Sequence, residues 1–329
     1  MCIRDRFLNL NYHAKIIGFV HLINNQIYKS KYLPIFKRLG IHSVFALIAL
    51  IVIGGATRVM EAGLACPDWP LCYGSFLPFS HMNLRVFLEW FHRLDAFLVG
   101  VLILFKFALS IIWKKEIPNW LPKTYSLLLF LVIVQGSFGA LTVINLLDSY
   151  TVTGHLLIAF LLLITTISIN QNLENDEIEK PLIWWRLLLF VPLLLTLIQS
   201  FIGVRLSSTW SAHICLSFNK QCLILNTHKL FAFPIAFSIL LIIATAIYKR
   251  SLLTENWKYL SALIFLLFSQ IVLGVLSLKT NLNEPIFIIG HQLNASLFIA
   301  ILTTLIFRNP FTKKGLNHSL NSQMVGLNP

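Results

Sequence analysis

Charged residues are scarce in this sequence. Asp, Glu, Lys and Arg make up 12% of its 329 residues, whereas they make up about 25% of an ordinary soluble protein. Hydrophobic residues make up 57%, and the mean hydropathy is +0.77. This composition excludes a soluble globular protein and predicts a chain that crosses a membrane several times.

The sequence also lacks the alternation of apolar and polar residues that outer-membrane β-barrels show. It contains instead eight apolar runs of roughly 20 residues, the length that a helix needs to cross a bilayer. Because irregular backbone cannot face lipid, we predict an all-α protein with eight transmembrane helices. The predicted spans are 41–60, 87–112, 124–145, 151–170, 184–204, 224–248, 258–278 and 286–307.

Acidic residues are fewer than basic ones, 13 against 26, which gives a net charge of +13. A basic protein can bind nucleic acid, but most of these Lys and Arg residues lie before the first span or after an even-numbered span. The positive-inside rule therefore places both termini in the cytoplasm. The charge indicates membrane topology and does not indicate a nucleic-acid partner.

No secretory signal is predicted at the N-terminus. The apolar patch Ile16–Val20 is too short, and no A-x-A cleavage site follows it. We interpret residues 1–37 as a cytoplasmic or interfacial extension. Residues 171–183 are predicted to form a cytoplasmic linker, and residues 309–329 a cytoplasmic tail.

Cysteine is rare, with five residues. Cys66 and Cys72 enclose a short loop, and Cys215 and Cys222 enclose another. Neither spacing matches a zinc ligand pair, and outside the cytoplasmic membrane both pairs are candidate disulfides. Such bridges could serve as rigid lids or as redox-sensitive elements, and both roles stay open. Cys2 is predicted to be a cytoplasmic bystander.

Ionisable residues inside the apolar runs carry the functional signal, because such groups are costly at membrane depth. Glu89 and His92 are one helical turn apart and lie on one side of a helix. The sequence around His92 returns at His228, and the sequence around His155 returns at His291 after the same interval along the chain. This internal duplication is not expected of unrelated interfacial or structural histidines.

Paired histidines near the outer ends of even-numbered spans can supply both axial ligands of a haem iron. The two candidate pockets are formed by His92 with His155 and by His228 with His291. Haem is a common partner of paired histidines in membranes.

Two further features accompany the histidines. Small residues in the stretches 135–143 and 270–277 could admit a flat ligand or allow close helix packing. Arg93 and Lys229 directly follow the first histidine of each pair. They could meet haem propionates or extend towards the membrane surface.

The two halves differ in one acidic residue. The interval that separates His92 from His228 also separates Glu89 from Leu225. A carboxylate in only one of two similar pockets indicates a reaction site beside a cofactor site. Such a group could accept protons or stabilise positive charge that develops during an oxidation.

At these positions the sequence resembles haem A synthase. The matching motifs are residues 54–58, 63–72, 89–93 and 135–143, together with His155, His228 and His291. The resemblance extends over about residues 38–308. The second outer loop has no copy of the Pro-Asp-Trp-Pro motif, so the resemblance supports the bridge Cys66–Cys72 more directly than Cys215–Cys222.

The resemblance implies two pseudo-symmetric four-helix bundles, residues 38–170 and 184–308. The expected reaction oxidises a ring methyl of haem O to a formyl group through a hydroxymethyl intermediate. Haem O synthase would be a neighbour in the pathway, and a haem-copper oxidase would receive the product. The expected location is the cell inner membrane, with the haem sites near its outer face; a homo-oligomer stays open.

The resemblance also assigns roles to five residues. His92 and His155 would flank the substrate haem, and His228 and His291 would bind haem b. Glu89 would be the catalytic carboxylate. Two other functions stay open: a membrane b-type cytochrome that relays electrons, and a haem carrier or transporter.

Overall fold

The computed structural model describes residues 30–174, 182–208 and 222–308. Within these ranges the chain is almost entirely helical and contains no β-strand. The long helices are α1 (Leu33–Val59), α2 (Leu84–Ile112), α3 (Trp120–Ile144), α4 (Ser149–Glu174), α5 (Ile183–Ser208), α6 (Leu223–Tyr248), α7 (Arg250–Lys279) and α8 (Pro285–Phe307). The predicted all-α fold with eight spans is confirmed.

All eight helices are long and apolar enough to cross a membrane, and the chain is a multi-pass membrane protein. Large apolar side chains point away from the helix contacts: Phe45, Phe130 and Phe268 are all more than half exposed. Such exposure is unfavourable in water but suits a surface that faces lipid.

Two helices begin about two turns earlier than the sequence predicts. The predicted spans start at 41 and 258, whereas α1 begins at Leu33 and α7 at Arg250. Polar residues such as Lys37 and Glu255 lie in these first turns. They interrupt an apolar run but leave the backbone hydrogen bonds of a helix intact.

The helices pack in two groups of four. In the first, α1 contacts α2 and α4, and α3 contacts the same two helices. In the second, α5 contacts α6 and α8, and α7 contacts these two as well. The groups meet where α8 contacts α1 and α4, and where α4 contacts α5. This packing fits the predicted pair of four-helix bundles.

The loop between α1 and α2 folds into a compact cap on the first group of helices. The predicted disulfide between Cys66 and Cys72 is present, and both cysteines are buried. Asp68 accepts hydrogen bonds from the backbone N–H groups of Tyr73 (2.6 Å) and Gly74 (2.8 Å). The other predicted bridge involves Cys215, which lies outside the described residues.

Candidate functional site

The four predicted histidines lie in the first two to three turns of the even-numbered helices α2, α4, α6 and α8. The ring centroids of His228 and His291 lie 6.3 Å apart, and the ring planes are tilted by 56°. His92 and His155 are close enough to interact electrostatically. The structure thus places His228 beside His291, and it places His92 within electrostatic range of His155.

The separation of His228 and His291 suits a shared metal ion. Two imidazoles that bind one metal from opposite sides, through bonds of about 2 Å, have ring centres about 6 Å apart. Two axial imidazoles suit an iron whose remaining ligands come from a porphyrin. The ring separation and the donor chemistry of this pair both fit haem.

Each histidine ring lies against a glycine of an odd-numbered helix. A Cβ atom on Gly54 would come within 2.8 Å of His92 Cε1, and one on Gly203 within 3.0 Å of His228 Cε1. The corresponding distances are 3.3 Å from Gly139 to His155 and 3.2 Å from Gly274 to His291. Any side chain at these positions would displace the imidazole.

These glycines form a pattern that the sequence analysis did not use. Each of them stands at the same distance before the last residue of its helix, which is Val59, Ile144, Ser208 or Lys279. The sequence predicts that small residues near Gly139 and Gly274 admit a ligand or a helix. In the structure these glycines admit the histidine side chains themselves. The sequence signal for this role was the recurrence of a glycine near the ends of α1, α3, α5 and α7.

Three of the imidazoles keep an unpaired nitrogen. The Nδ1 atoms of His92, His155 and His228 are inaccessible to solvent and have no hydrogen-bond partner of normal geometry within the described ranges. Buried polar atoms are usually satisfied, and an exception calls for an explanation such as a missing ligand. These rings are therefore candidates for binding a group through imidazole nitrogen.

Glu89 is buried, with 3% of its surface exposed. One carboxylate oxygen accepts a hydrogen bond from the backbone N–H of Cys66 at 2.8 Å. The other accepts from Arg93 Nη2 at 2.6 Å, which forms an ion pair within α2. Glu89 thus connects the helix that carries His92 to the disulfide loop.

Arg93 holds the same loop from the helix side. Besides its bond to Glu89, its guanidinium donates to the backbone carbonyls of Asp68 (2.5 Å), Leu71 and Cys66. The sequence suggests contacts between Arg93 and haem propionates, whereas the structure gives the residue a loop-binding role that sequence reasoning missed. Lys229, the other predicted propionate contact, is exposed.

The second half has a leucine where the first has Glu89. Leu225 is buried in α6 and clusters with Leu206 of α5. The difference between Glu89 and Leu225 therefore lies in the interior of the two groups of helices. It changes the chemistry beside one histidine pair only.

Two arginines at the boundary between the helix groups were not singled out from the sequence. Arg58, at the end of α1, donates to the Ser207 hydroxyl of α5. Arg205, near the end of α5, donates to the Ser149 hydroxyl of α4 at 2.7 Å. Both guanidinium groups lie at the end of the molecule where the histidine pairs are found.

Comparison with known proteins gives a consistent set of relatives. A model of the cytochrome oxidase assembly protein family, COX15-CtaA, matches residues 37–306. A haem A synthase of Bacillus pumilus is 28% identical over 155 residues, which are 44% of this chain and 49% of the relative. One of Shewanella oneidensis is 33% identical over 141 residues, 38% of this chain and 41% of the relative.

These two alignments span about half the length of the relatives. An alignment with the haem A synthase of Flavobacterium psychrophilum is longer, at 82% of this chain and 96% of the relative, with 23% identity. The family match thus covers both histidine pairs and Glu89.

Proposed function

We propose that this chain, which belongs to the cytochrome oxidase assembly protein family COX15-CtaA, is a haem A synthase. It would oxidise a ring methyl of haem O to a formyl group through a hydroxymethyl intermediate. The observation that carries the proposal is the repeated histidine pair with a carboxylate beside only one copy. Relatives that align with a short part of this chain and relatives that align with most of it are both named haem A synthase.

The two halves take different roles in this proposal. His228 and His291, in residues 184–308, would hold a resident haem b, and the 6.3 Å between their ring centroids supports this role. His92 and His155, in residues 38–170, hold the substrate haem. A bound haem b supplies one-electron redox chemistry.

Glu89 is the catalytic carboxylate of the first half. It lies one helical turn from His92, so both side chains share one face of α2. Its carboxylate can accept a proton, or its negative charge can stabilise positive charge on a substrate held beside it. Arg93 and the Cys66–Cys72 loop position this carboxylate, because they bind both of its oxygens.

The haem propionates need cationic partners, which Arg58 and Arg205 can supply. Arginine suits carboxylates because its guanidinium donates two parallel hydrogen bonds. Arg58 donates to a serine hydroxyl, and Arg205 donates to a serine hydroxyl and lies over the Tyr150 ring at 4.3 Å. Arg93 is less suitable, since its donors are bound to the loop carbonyls and to Glu89.

The protein would lie in the cell inner membrane with both termini in the cytoplasm and its haem sites near the outer face. Haem O synthase would supply the substrate, and a haem-copper oxidase would receive the product. A reporter inserted into the 66–72 loop should give an outer signal. A cytoplasmic signal would contradict this orientation.

The decisive experiment is to express the chain with haem O synthase and to separate the extracted haems by chromatography. We expect haem A from the parent and at least a 100-fold loss in Glu89→Ala and Glu89→Gln, since acid–base groups contribute about 10²–10⁴-fold. Glu61→Ala is the matched control, because Glu61 is an exposed acid bound to Arg85.

The same experiment separates an enzyme from a b-type cytochrome relay. The similar construction of the two histidine pairs favours the relay as a second candidate. A relay would bind two haems and leave haem O unchanged. Haem A formation that persists in Glu89→Ala would remove Glu89 from the mechanism.

A further inference from the structure

The loop between α1 and α2 contains a stretch without formal charge at the end of the molecule that carries the histidine pairs. No Asp, Glu, Lys or Arg occurs from Trp69 to Leu84. Several large apolar side chains of this stretch are exposed: Phe76 by 63%, Phe79 by 75% and Leu84 by 60%. Large exposed apolar patches mark a contact with another molecule or with a membrane.

The lipid-facing side of α2 is marked by its exposed residues. Large apolar side chains are exposed at Phe87, Phe91, Leu98, Val101 and Phe105. This spacing places them in one stripe along the helix. Because α2 is long and apolar enough to cross a membrane, the stripe faces lipid. It begins in the first turn of α2, directly after the uncharged stretch.

Trp90 fastens the loop to this side of α2. It stands three residues after Phe87, and the two ring centroids are 6.1 Å apart. Since residues three apart share a helix face, Trp90 borders the lipid-facing stripe. Its indole Nε1 donates a hydrogen bond to the Phe76 carbonyl at 2.8 Å. This hydrogen bond places Phe76 beside the end of the stripe.

Charged groups at the same end of α2 lie on its opposite side. Arg85 stands two residues before Phe87, which is about 200° around the helix. It forms an ion pair with Glu61 at 3.2 Å, and more than half of each side chain is exposed. The first turn of α2 therefore separates a charged side, which suits water, from an apolar side, which suits lipid. Trp90 attaches the loop to the apolar side.

We propose that residues 76–82 form an interfacial segment, which lies among the lipid headgroups and places Phe76 and Phe79 against the upper part of the acyl chains. Apolar and aromatic side chains are favoured at this depth of a bilayer. Continuity with the lipid-facing stripe of α2 favours lipid over a protein partner. The proposal does not depend on the reaction that the protein catalyses.

The interfacial segment belongs to the same cap that binds Glu89. Cys72 and Ser75 exchange two backbone hydrogen bonds, of 3.0 and 3.1 Å. Cys66, which is joined to Cys72 by the disulfide, donates its backbone N–H to Glu89. Contact with lipid would therefore hold the cap from one side, while Arg93 holds it from the helix side.

The test places the photoreactive residue p-benzoylphenylalanine at position 79 of the full-length protein, in nanodiscs of phosphatidylcholine and phosphatidylglycerol. After irradiation, mass spectrometry of the intact protein should show a lipid adduct. Position 130 is the positive control, because Phe130 is an exposed residue within the span α3. Position 61 is the matched negative control, because Glu61 is exposed at the same end of the molecule and bears a charge. The lipid adduct should be several-fold more abundant at position 79 than at position 61.

A second measurement gives the depth of the segment. Trifluoromethyl-phenylalanine at position 79 should have its fluorine resonance broadened more by a lipid with a nitroxide on its headgroup than by one with a nitroxide near the end of its acyl chain. The order should be reversed at position 130, in the interior of the bilayer.

Equal lipid adducts at positions 79 and 61 would overturn the proposal. An adduct of protein mass in place of the lipid adduct, after irradiation of isolated cell membranes, would also overturn it, because it would identify a docking surface for another protein. Neither outcome bears on haem A formation, so the interfacial segment and the proposed function can fail separately.

Discussion

The two halves of the molecule share a frame and differ in the polar groups placed on it. In each half, two histidine rings lie against glycines. Each of these glycines stands at the same distance before the last residue of its helix. Among the described residues, the first half adds Glu89, which binds the 66–72 loop, whereas the second adds Ser269 and Asn294. The comparison indicates that a duplicated pocket acquires separate roles through a few neighbouring polar residues, without a change of fold.

The contrast extends towards the other end of the helices. Lys106 of α2 is buried, donates to the Ser43 hydroxyl at 2.7 Å and faces the Tyr125 ring at 5.4 Å. Its equivalent in the second half is Ile242, which is fully buried. The first half therefore carries the ionisable groups Glu89 and Lys106 in its interior where the second carries apolar residues.

The largest expected effect comes from replacing one histidine of each pair by alanine. His228→Ala should abolish haem b binding, because the resident iron loses an axial ligand, while His92→Ala should retain haem b and lose haem A formation. Reduced-minus-oxidised absorption spectra of the purified variants measure this. His42→Ala is the control, since that histidine lies in α1 and binds the Arg38 carbonyl. Loss of haem b from His92→Ala alone would reverse our assignment of the two sites.

A smaller effect is expected from the glycines. Gly54→Ala and Gly139→Ala place a Cβ atom 2.8 and 3.3 Å from the His92 and His155 rings. Displaced ligands misalign the substrate, so we expect roughly a 10-fold loss of haem A formation, given that about 1 Å of misplacement can cost 10²-fold. Gly136→Ala is the control, because no atom lies within 4 Å of its added Cβ. Equal losses in all three variants would remove the steric explanation.

The disulfide loop should have a more moderate influence. Replacing Cys66 and Cys72 together by serine frees the backbone that binds Glu89, and small rings of this kind contribute roughly 2–3 kcal/mol to the free energy of unfolding. Haem A formation should fall several-fold while haem b content stays constant. Cys2→Ser should change neither quantity. Parental haem A formation in the double serine variant would show that Glu89 needs no support from the loop.

The fold was largely predictable because lipid imposes simple rules. Length and hydropathy predicted all eight helices, since a membrane span must be apolar and helical. The constant interval between the repeated segments predicted equivalent positions for the histidines of the two halves, because duplicated segments fold alike.

Details of the site depended on contacts that the sequence does not record. Apart from Glu89, the partners of Arg93 are backbone carbonyls of the 66–72 loop, which carry no sequence signal. Asn294 donates to Gln270 on the preceding helix, and the spacing of these two amides matches no known motif. Lys106 was overlooked because a single lysine within an apolar run leaves the prediction of a span unchanged.

The smallest expected effect is on the stability in acid of the loop between α1 and α2. The backbone N–H groups of Gly74 and Tyr73 lower the pKa of Asp68, so its charge stabilises the folded loop above its unfolded pKa of about 3.9. That contribution is lost as the pH falls through the lower folded value. Pepsin cleavage of the 60–83 loop should therefore increase below about pH 4 in the parent relative to Asp68→Asn, whose amide does not titrate there. The ratio of the two cleavage rates cancels the protease's own pH dependence. A ratio that stays constant from about pH 5 to about pH 3 would show that the Asp68 charge does not hold the loop.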